Sequence, residues 1–172
     1  MNVRPRTERD LPALVEVLAA QRDEARYPLR WPLPFPTEDF IRRTSDLEAW
    51  VAEVDGRVVG HVAVQAVDDV FSPGDLGRAW SAGHGRPVAE LGIMGTLFVD
   101  PAVRGRGVGR ALHDASVGWL RSRDLAPCLD VVPVHAAALV MYERLGWTEV
   151  ARVRPPWLPD AEPDVVAMVL LS

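Results

Sequence analysis

Apolar and polar residues alternate along the chain with two different periods, and these periods predict its secondary structure. The segment TERDLPALVEVLAAQRD repeats leucine and valine at helical spacing, so it predicts an amphipathic helix near the start. Valine- and alanine-rich runs at 48–54 and 57–67 flank Asp55-Gly56 and predict an antiparallel hairpin, because this dipeptide suits a tight turn. Further apolar runs predict strands at 90–100, 127–133, 147–153 and 164–171.

The order of helices and strands implies a mixed sheet. A short strand at 2–5 precedes two helical segments, and later helices are predicted at 108–123 and 135–145. A strand–helix–strand unit favours parallel pairing, whereas the hairpin is antiparallel. We therefore expect one mixed sheet with helices packed on it. The glycine-rich segment 68–86 is expected to be a long loop.

Composition narrows the class of protein without identifying its activity. The chain has 172 residues, which suits a single domain over 1–172, and its net charge of −5 disfavours general nucleic-acid binding. One cysteine, Cys128, excludes an internal disulfide and fits a reducing compartment. No apolar run is long enough to cross a bilayer, and the histidines show no metal-ligand spacing. We expect a cytoplasmic protein without a metal, a membrane partner or a nucleic-acid partner.

Glycine and arginine alternate where a predicted strand ends and a predicted helix begins, in the stretch DPAVRGRGVGRAL at 100–112. A helix start presents unpaired backbone amides and a partial positive charge, and glycine lets an anion approach those amides closely. The pattern lacks the lysine of a P-loop and the G-x-G-x-x-G spacing of a dinucleotide-binding turn. It predicts a turn that holds another phosphorylated ligand, or a glycine-rich turn without a ligand.

Two segments of the sequence resemble the GCN5-related N-acetyltransferases (the GNAT superfamily). Residues 104–109, RGRGVG, fit that family's Arg/Gln-x-x-Gly-x-Gly/Ala signature, and HAAALVMYERLGW at 135–147 is similar to its Asn-x-x-Ala-x-x-x-Tyr-x-x-x-Gly-Phe segment. The resemblance implies a GNAT-like α/β (α+β) fold, with a mixed, mostly antiparallel sheet of six to seven strands flanked by about four helices. It also implies direct transfer of an acetyl group from acetyl-CoA to a primary amine in a ternary complex. The alternative is a non-catalytic acyl-CoA-binding or regulatory module on the same fold.

The resemblance also implies which residues contact coenzyme A. Backbone amides of the signature turn would hold the pyrophosphate, and the pantetheine arm would pair with the fourth strand, where a backbone N–H would stabilise the thioester oxyanion. A histidine stands where the family usually has asparagine. The expected cofactor-binding residues are Leu97, Phe98, Val99, Arg104, Gly105, Arg106, Gly107, Val108, Gly109, Arg110 and His135.

Three residues are candidates for proton transfer under the same resemblance. Tyr142 occupies the family's tyrosine position and would protonate the departing thiolate, unless it only packs on a helix face. Asp130 interrupts an apolar strand and is the first candidate for the base, at a place where ribosomal-protein N-terminal acetyltransferases have a glutamate. Because aspartate is one methylene shorter, a water could relay the proton. Glu90 is the second candidate, and either acid could instead be bonded to backbone or solvent.

Aromatic residues in two proline-rich segments suggest an acceptor site. In the family, acceptors enter between the first helices and the loop that joins the last two strands. We expect Trp31, Phe35 and Trp157 to wall this cleft, with Asp160 or Glu162 near its rim. The alternative is that these rings only seal the edges of the core. The acceptor would be a small-molecule amine or a peptide N-terminus, and the edge strands of this fold are compatible with a homodimer.

Overall fold

The computed structural model describes residues 1–67 and 75–171. The strands are β1 Asn2–Pro5, β2 Asp46–Val54, β3 Arg57–Ala66, β4 Leu91–Val99, β5 Ala126–Val131, β6 Thr148–Val153 and β7 Val165–Val169. The α-helices are α1 Leu11–Ala25, α2 Thr37–Ile41, α3 Asp75–His84, α4 Val108–Ser122 and α5 Ala136–Arg144. Short 3-10 helices lie at Glu8–Asp10, Val88–Glu90 and Pro101–Val103.

The strands of the described chain form one seven-stranded sheet in the order β1-β2-β3-β4-β5-β7-β6. Pairing is antiparallel for β1 with β2, β2 with β3, β5 with β7 and β6 with β7. β4 and β5 pair in parallel over three residue pairs, from Leu91–Ala126 to Ile93–Cys128. The expected mixed, mostly antiparallel sheet is confirmed, and its parallel step lies where the strand–helix–strand segment predicted it.

The described residues divide into two units. Unit 1 comprises Met1–Gln65 and Met94–Trp119, and unit 2 comprises the described residues of Ala66–Ile93 and Leu120–Ser172. The apolar face predicted for the first helix is buried in the core of unit 1. One core cluster of unit 1 contains Leu11, Leu14, Val17, Leu18, Ile41, Val51 and Phe98. The expectation of a single domain over 1–172 stays a prediction.

Helix α4 packs closely on β3 within unit 1. A Cβ atom at Gly60 would lie 3.0 Å from Leu112 Cδ1 and 3.2 Å from the Phe98 carbonyl oxygen, so a larger residue would require these neighbours to shift by a few tenths of an ångström. Val108 and Leu112 are buried in this contact region. The first turn of α4 is therefore fixed against the sheet, and the glycine-rich segment that precedes it is fixed at that end.

In unit 2, a helix replaces part of the loop expected at 68–86. Helix α3 buries Leu76 and Trp80 completely, and Trp80 Nε1 donates a hydrogen bond to the Leu129 carbonyl oxygen of β5 (3.0 Å). A Cβ atom at Gly83 would lie 2.7 Å from Val150 Cγ1, so this glycine permits close packing on the sheet. The loop prediction is wrong for Asp75–His84, and its part at 68–74 lies outside the described residues.

A cluster of charged side chains joins β1 to β2 in unit 1. Arg4 Nη2 donates to Asp10 Oδ1 and to Glu53 Oε1, both at 2.7 Å, and the Thr7 amide donates to Asp10 Oδ2 at 2.7 Å. Asp10 is buried, and the Arg4 guanidinium lowers the pKa of its carboxyl to about 2. The ionised form of Asp10 therefore stabilises the folded chain.

Candidate functional site

The glycine-rich turn in unit 1 leaves open space above its backbone. Gly105 and Gly107 have φ angles of +75° and +79°, a conformation that residues with a Cβ atom rarely adopt. Apart from its chain neighbours, no heavy atom of the described residues lies within 4 Å of a Cβ atom built at either position. Glycine is therefore required at these two positions by the backbone conformation. It is not required there for close packing of another part of the described chain, and the open space leaves room for a ligand.

The first amides of helix α4 come before the first hydrogen bond within that helix. The first α-helical bond runs from the Ala111 amide to the Gly107 carbonyl oxygen (3.0 Å). The amides of Val108, Gly109 and Arg110 precede it, as the first amides of any α-helix do. They add hydrogen-bond donors to the positive end of the helix dipole, which is the arrangement that binds phosphate. This backbone geometry is compatible with a phosphate cradle, and phosphate binding at the turn stays a prediction.

The three arginines around this turn differ in their partners. Arg104 forms an ion pair with Glu24 of α1, and Arg110 Nε lies 3.1 Å from Asp114 Oδ2 one helical turn later. Arg106 is exposed and has no ion pair or side-chain hydrogen bond within residues 1–67 and 75–171. Arg106 is therefore the cation of this turn that is most available to a bound anion.

At the end of β4, a ligand would contact the backbone more than the side chains. The Phe98 side chain is buried in the unit 1 core, whereas Leu97 and Val99 are half-buried. The Asp100 amide donates to the Val59 carbonyl oxygen (2.8 Å), which joins the end of β4 to β3. Phe98 therefore supports the strand from inside, and contact with a ligand would be through main-chain atoms of 97–99.

A backbone irregularity in β4 was missed by sequence reasoning. Thr96 has a φ angle of +53°, which is rare for a β-branched residue and costs roughly 1–3 kcal/mol. Its side chain is buried, and among the described residues its Oγ1 atom has no hydrogen-bond partner. A strained residue of this kind persists only where its neighbours hold it, so the contacts around Thr96 matter for the local path of the strand.

His61 of β3 supplies one of these contacts. Its Nδ1 atom lies 2.9 Å from the Thr96 carbonyl oxygen and its Nε2 atom lies 3.0 Å from Arg6 Nη1. Arginine can only donate, so Nε2 accepts and the proton of the neutral ring sits on Nδ1, which donates to Thr96. Complete burial lowers the pKa of His61 to about 3, so the ring is neutral at pH 7. A lone histidine within the apolar run VVGHVAV was the sequence signal for this role.

Tyr142 lies in the last turn of α5 in unit 2. It is 8% exposed, and its ring meets the Trp147 ring edge-on with a centroid separation of 6.0 Å. The Trp147 amide donates to the Tyr142 carbonyl oxygen at 3.1 Å, and the intervening Gly146 has a φ angle of +92°. Trp147 thus holds the Tyr142 ring on one side. The role of Tyr142 in proton transfer stays a prediction.

Asp130 and Cys128 lie on β5, also in unit 2. Asp130 is half-buried and pairs with Ala167 of β7 in the sheet register. Burial raises the pKa of the Cys128 thiol well above its usual value, and the Asp130 charge raises it further. Cys128 is fully buried, and its Sγ lies 3.4 Å from the Gly92 carbonyl oxygen. This cysteine is a protonated, packed side chain and is not activated as a nucleophile.

The other two candidates in unit 2 have different surroundings. Glu90 is exposed, and its Oε2 lies 2.8 Å from Arg86, which also pairs with Asp124. Glu90 is therefore already engaged in a surface ion pair, and the choice between Asp130 and Glu90 as the base stays a prediction. His135 is the residue before α5, and its carbonyl oxygen accepts from the Ala138 amide at 2.9 Å. Its contact with coenzyme A stays a prediction.

The aromatic residues proposed for the acceptor are all partly exposed. In unit 1, Trp31 is 38% and Phe35 is 46% exposed, and in unit 2 Trp157 is 44% exposed. Their rings are therefore not simply part of the core. Arg154 organises the loop around Trp157, because its guanidinium pairs with Asp164 at 2.9 Å and donates to the Glu162 carbonyl oxygen at 2.6 Å.

The described residues contain neither a cluster of metal ligands nor a membrane-spanning helix. Within 1–67 and 75–171, no group of three or more His, Cys, Asp or Glu side chains could hold a metal ion. In the same part of the chain, no helix combines the length and apolar character needed to cross a membrane.

Sequence comparison identifies one family and several relatives. The model of the acetyltransferase (GNAT) family matches residues 13–147. Mycothiol acetyltransferase of Acidothermus cellulolyticus is 37% identical over 119 residues, which are 64% of this chain and 34% of that protein. The [ribosomal protein bS18]-alanine N-acetyltransferase of Escherichia coli is 34% identical over 86 residues, 48% of this chain and 57% of that protein. The chain thus matches about a third of the first relative's length and over half of the second's.

Solved structures share the fold at low sequence identity. The ribosomal-protein-alanine N-acetyltransferase of Brucella melitensis has a TM-score of 0.71 and 21% identity, over 100% of both chains. The protein yncA of Salmonella typhimurium, solved with its cofactor acetyl-CoA, has a TM-score of 0.70 and 18% identity, over 99% of this chain and 92% of that one.

Proposed function

The chain belongs to the acetyltransferase (GNAT) family, and on this premise we propose that it transfers an acetyl group from acetyl-CoA to a primary amine. The observation that carries the proposal is the start of α4, where the turn with Gly105 and Gly107 at positive φ leads into amides that precede the helix's own hydrogen bonds. That backbone suits a pyrophosphate, and acetyl-CoA bound to yncA supports this choice of ligand.

The residues of unit 1 fit coenzyme A in two ways. Amides of 104–110 would hold the pyrophosphate, apart from those of Arg104 and Arg106, which donate to the carbonyl oxygens of Pro101 and Val103. The Arg106 guanidinium would add charge. The pantetheine arm would lie along Leu97 to Val99 and pair with their backbone. The short pairing of β4 with β5, which covers only Leu91 to Ile93, supports this because residues 97–99 lie beyond it.

The reaction needs one proton donor and one proton acceptor from the chain. Acetyl-CoA supplies the thioester that the amine nitrogen attacks, and the carbon–sulfur bond breaks. The Tyr142 hydroxyl gives its proton to the departing sulfur, since a phenol is protonated at neutral pH. The Asp130 carboxylate accepts the proton of the amine through a water. The buried, protonated state of Cys128 supports direct transfer in a ternary complex over an acetyl-cysteine route.

The acceptor is a small-molecule amine or a peptide N-terminus, for which Trp31 and Phe35 of unit 1 and Trp157 of unit 2 are the candidate contact residues. The exposure of the three rings supports this role. The names of the relatives cover both acceptor classes, since one is named a mycothiol acetyltransferase and the other an N-acetyltransferase of a ribosomal protein's alanine. A cytoplasmic location and a homodimer remain predictions.

Turnover on an acceptor panel tests the proposed function. The purified chain is mixed with acetyl-CoA and with primary amines, amino acids or short peptides with free N-termini, and released thiol and acetylated product are both measured. We expect thiol release that depends on one acceptor class, with the N-acetylated form of the same compound as the unreactive control. Binding of acetyl-CoA without any acetylated product would indicate the non-catalytic module, and absence of binding would refute the proposal.

A further inference from the structure

We propose that Arg6 and His61 are positioning residues that fix the Thr96–Leu97 peptide of β4, so that the Leu97 N–H is aimed at the oxygen of the reacting thioester. The inference rests on the proposed function. It assigns a positioning role to the buried His61 and the half-buried Arg6, which do not take part in the transfer reaction itself.

The direction of the Leu97 N–H follows from the bond that His61 makes. The Thr96 carbonyl and the Leu97 amide belong to one planar trans peptide group, so they point in opposite directions. The hydrogen bond from His61 Nδ1 to the Thr96 carbonyl oxygen (2.9 Å) therefore also sets where the Leu97 N–H points. The φ angle of +53° at Thr96 makes this orientation differ from that of a regular strand.

Arg6 keeps His61 in the form that can donate. Its Nη1 atom lies 3.0 Å from His61 Nε2 and donates to the Ile41 carbonyl oxygen at 2.7 Å. Because a guanidinium has no acceptor, it excludes the ring form with its proton on Nε2. The Phe98 ring, 5.3 Å away between centroids, covers the imidazole and limits its rotation.

The residues around Arg6 also reach Gly95, the residue before Thr96. Arg6 Nη2 pairs with Asp46 Oδ2 (3.2 Å), and Gln65 Nε2 donates to Asp46 Oδ1 (3.0 Å). The Gln65 Oε1 atom would lie 3.4 Å from a Cβ atom at Gly95. The half-buried Arg6–Asp46 ion pair thus contacts both His61 and Gln65 of β3, and all these residues belong to unit 1.

Nuclear magnetic resonance of the wild-type chain tests the geometry without any substitution. Long-range proton–nitrogen spectra at pH 7 distinguish the two neutral forms of an imidazole. We expect the His61 ring to be neutral with its proton on Nδ1. A ring that carries its proton on Nε2, or a charged ring, overturns the inference.

Kinetic measurements on two His61 variants test whether His61 positions the Leu97 N–H. His61→Leu keeps apolar bulk and removes the donor, so we expect kcat to fall about tenfold to a hundredfold, as misplacement of a catalytic group does, while the Kd for acetyl-CoA stays within threefold. His61→Asn retains an N–H near the Nδ1 position and should recover part of kcat. Arg6→Lys should lower kcat in the same direction. Val64→Ala, at a fully buried position of β3, is the control for lost stability alone and should keep kcat.

The outcomes separate this inference from the proposed function. If the wild-type chain acetylates an amine but His61→Leu keeps kcat within threefold, the positioning role is wrong and the proposed function stands. If kcat falls equally in His61→Leu and Val64→Ala variants of equal stability, the effect is loss of fold and the inference also fails. If the wild-type chain does not bind acetyl-CoA, both fall together.

Discussion

Alanine at Gly107 tests whether the turn before α4 binds through its backbone. The φ angle there is +79°, and an alanine held at that angle costs about 1–2 kcal/mol of folding free energy. Apart from its chain neighbours, no heavy atom of the described residues lies within 4 Å of the added Cβ, so strain of the backbone is the whole structural cost. For a chain of this size we expect the melting temperature to fall by roughly 2–8 °C.

The same substitution should weaken acetyl-CoA binding much more than strain alone explains. The methyl group enters the open space above the turn, or the backbone relaxes and turns an amide away. Loss of one hydrogen bond to a charged phosphate oxygen is worth about 1.5–3 kcal/mol, which corresponds to roughly a tenfold to hundredfold rise in Kd. Calorimetric titration with acetyl-CoA measures this change directly.

Gly56→Ala is the matched control, because the hairpin turn has a φ angle of +74° and equally open space. We expect a similar loss of melting temperature and an unchanged Kd. Equal effects of the two substitutions on Kd would show that affinity follows stability, and an unchanged Kd in Gly107→Ala would refute a backbone cradle at this turn.

Four further substitutions test the roles of Tyr142, Trp31, Trp157 and Asp10. Tyr142→Phe should lower kcat by tens- to thousands-fold with an unchanged Kd for acetyl-CoA, and near-normal turnover would leave Tyr142 with a packing role only. Trp31→Ala and Trp157→Ala should each raise the acceptor KM several-fold and leave acetyl-CoA binding alone. Asp10→Asn should destabilise the chain by about 1–2 kcal/mol at pH 7, since Arg4 holds the carboxyl pKa near 2. In urea titrations, the wild-type advantage should be complete above pH 4 and vanish as the pH falls to 2.

Local patterns predicted the parts of the fold that depend on near neighbours in sequence. Asp55 and Gly56 both take positive φ angles, as the hairpin required, and α4 begins at Val108, directly after the glycines. The glycine-rich composition of 68–86 predicts a loop, yet Asp75–His84 forms helix α3, and Gly83 lies within it. Its role appears only once Val150, from a distant strand, is seen to pack against it.

The support of β4 could not be read from the sequence for a similar reason. His61 and Thr96 are 35 positions apart, and Arg6 and His61 are 55 apart. Their hydrogen bonds depend on the order and register of β3 and β4, which no local pattern encodes. The sequence does contain one signal, which is a histidine within an apolar strand. Burial of a polar side chain is costly unless it is hydrogen-bonded, so such a histidine indicates a buried partner.

Amide chemical shifts give the most direct test of the central claim, that main-chain N–H groups at the start of α4 hold coenzyme A. In a titration of isotope-labelled protein with coenzyme A, followed in proton–nitrogen correlation spectra, we predict the largest shifts at Gly105, Gly107, Val108 and Gly109. The Gly56 amide, in a turn of similar conformation, should not move. Saturable binding that leaves the four amides unchanged would contradict the account.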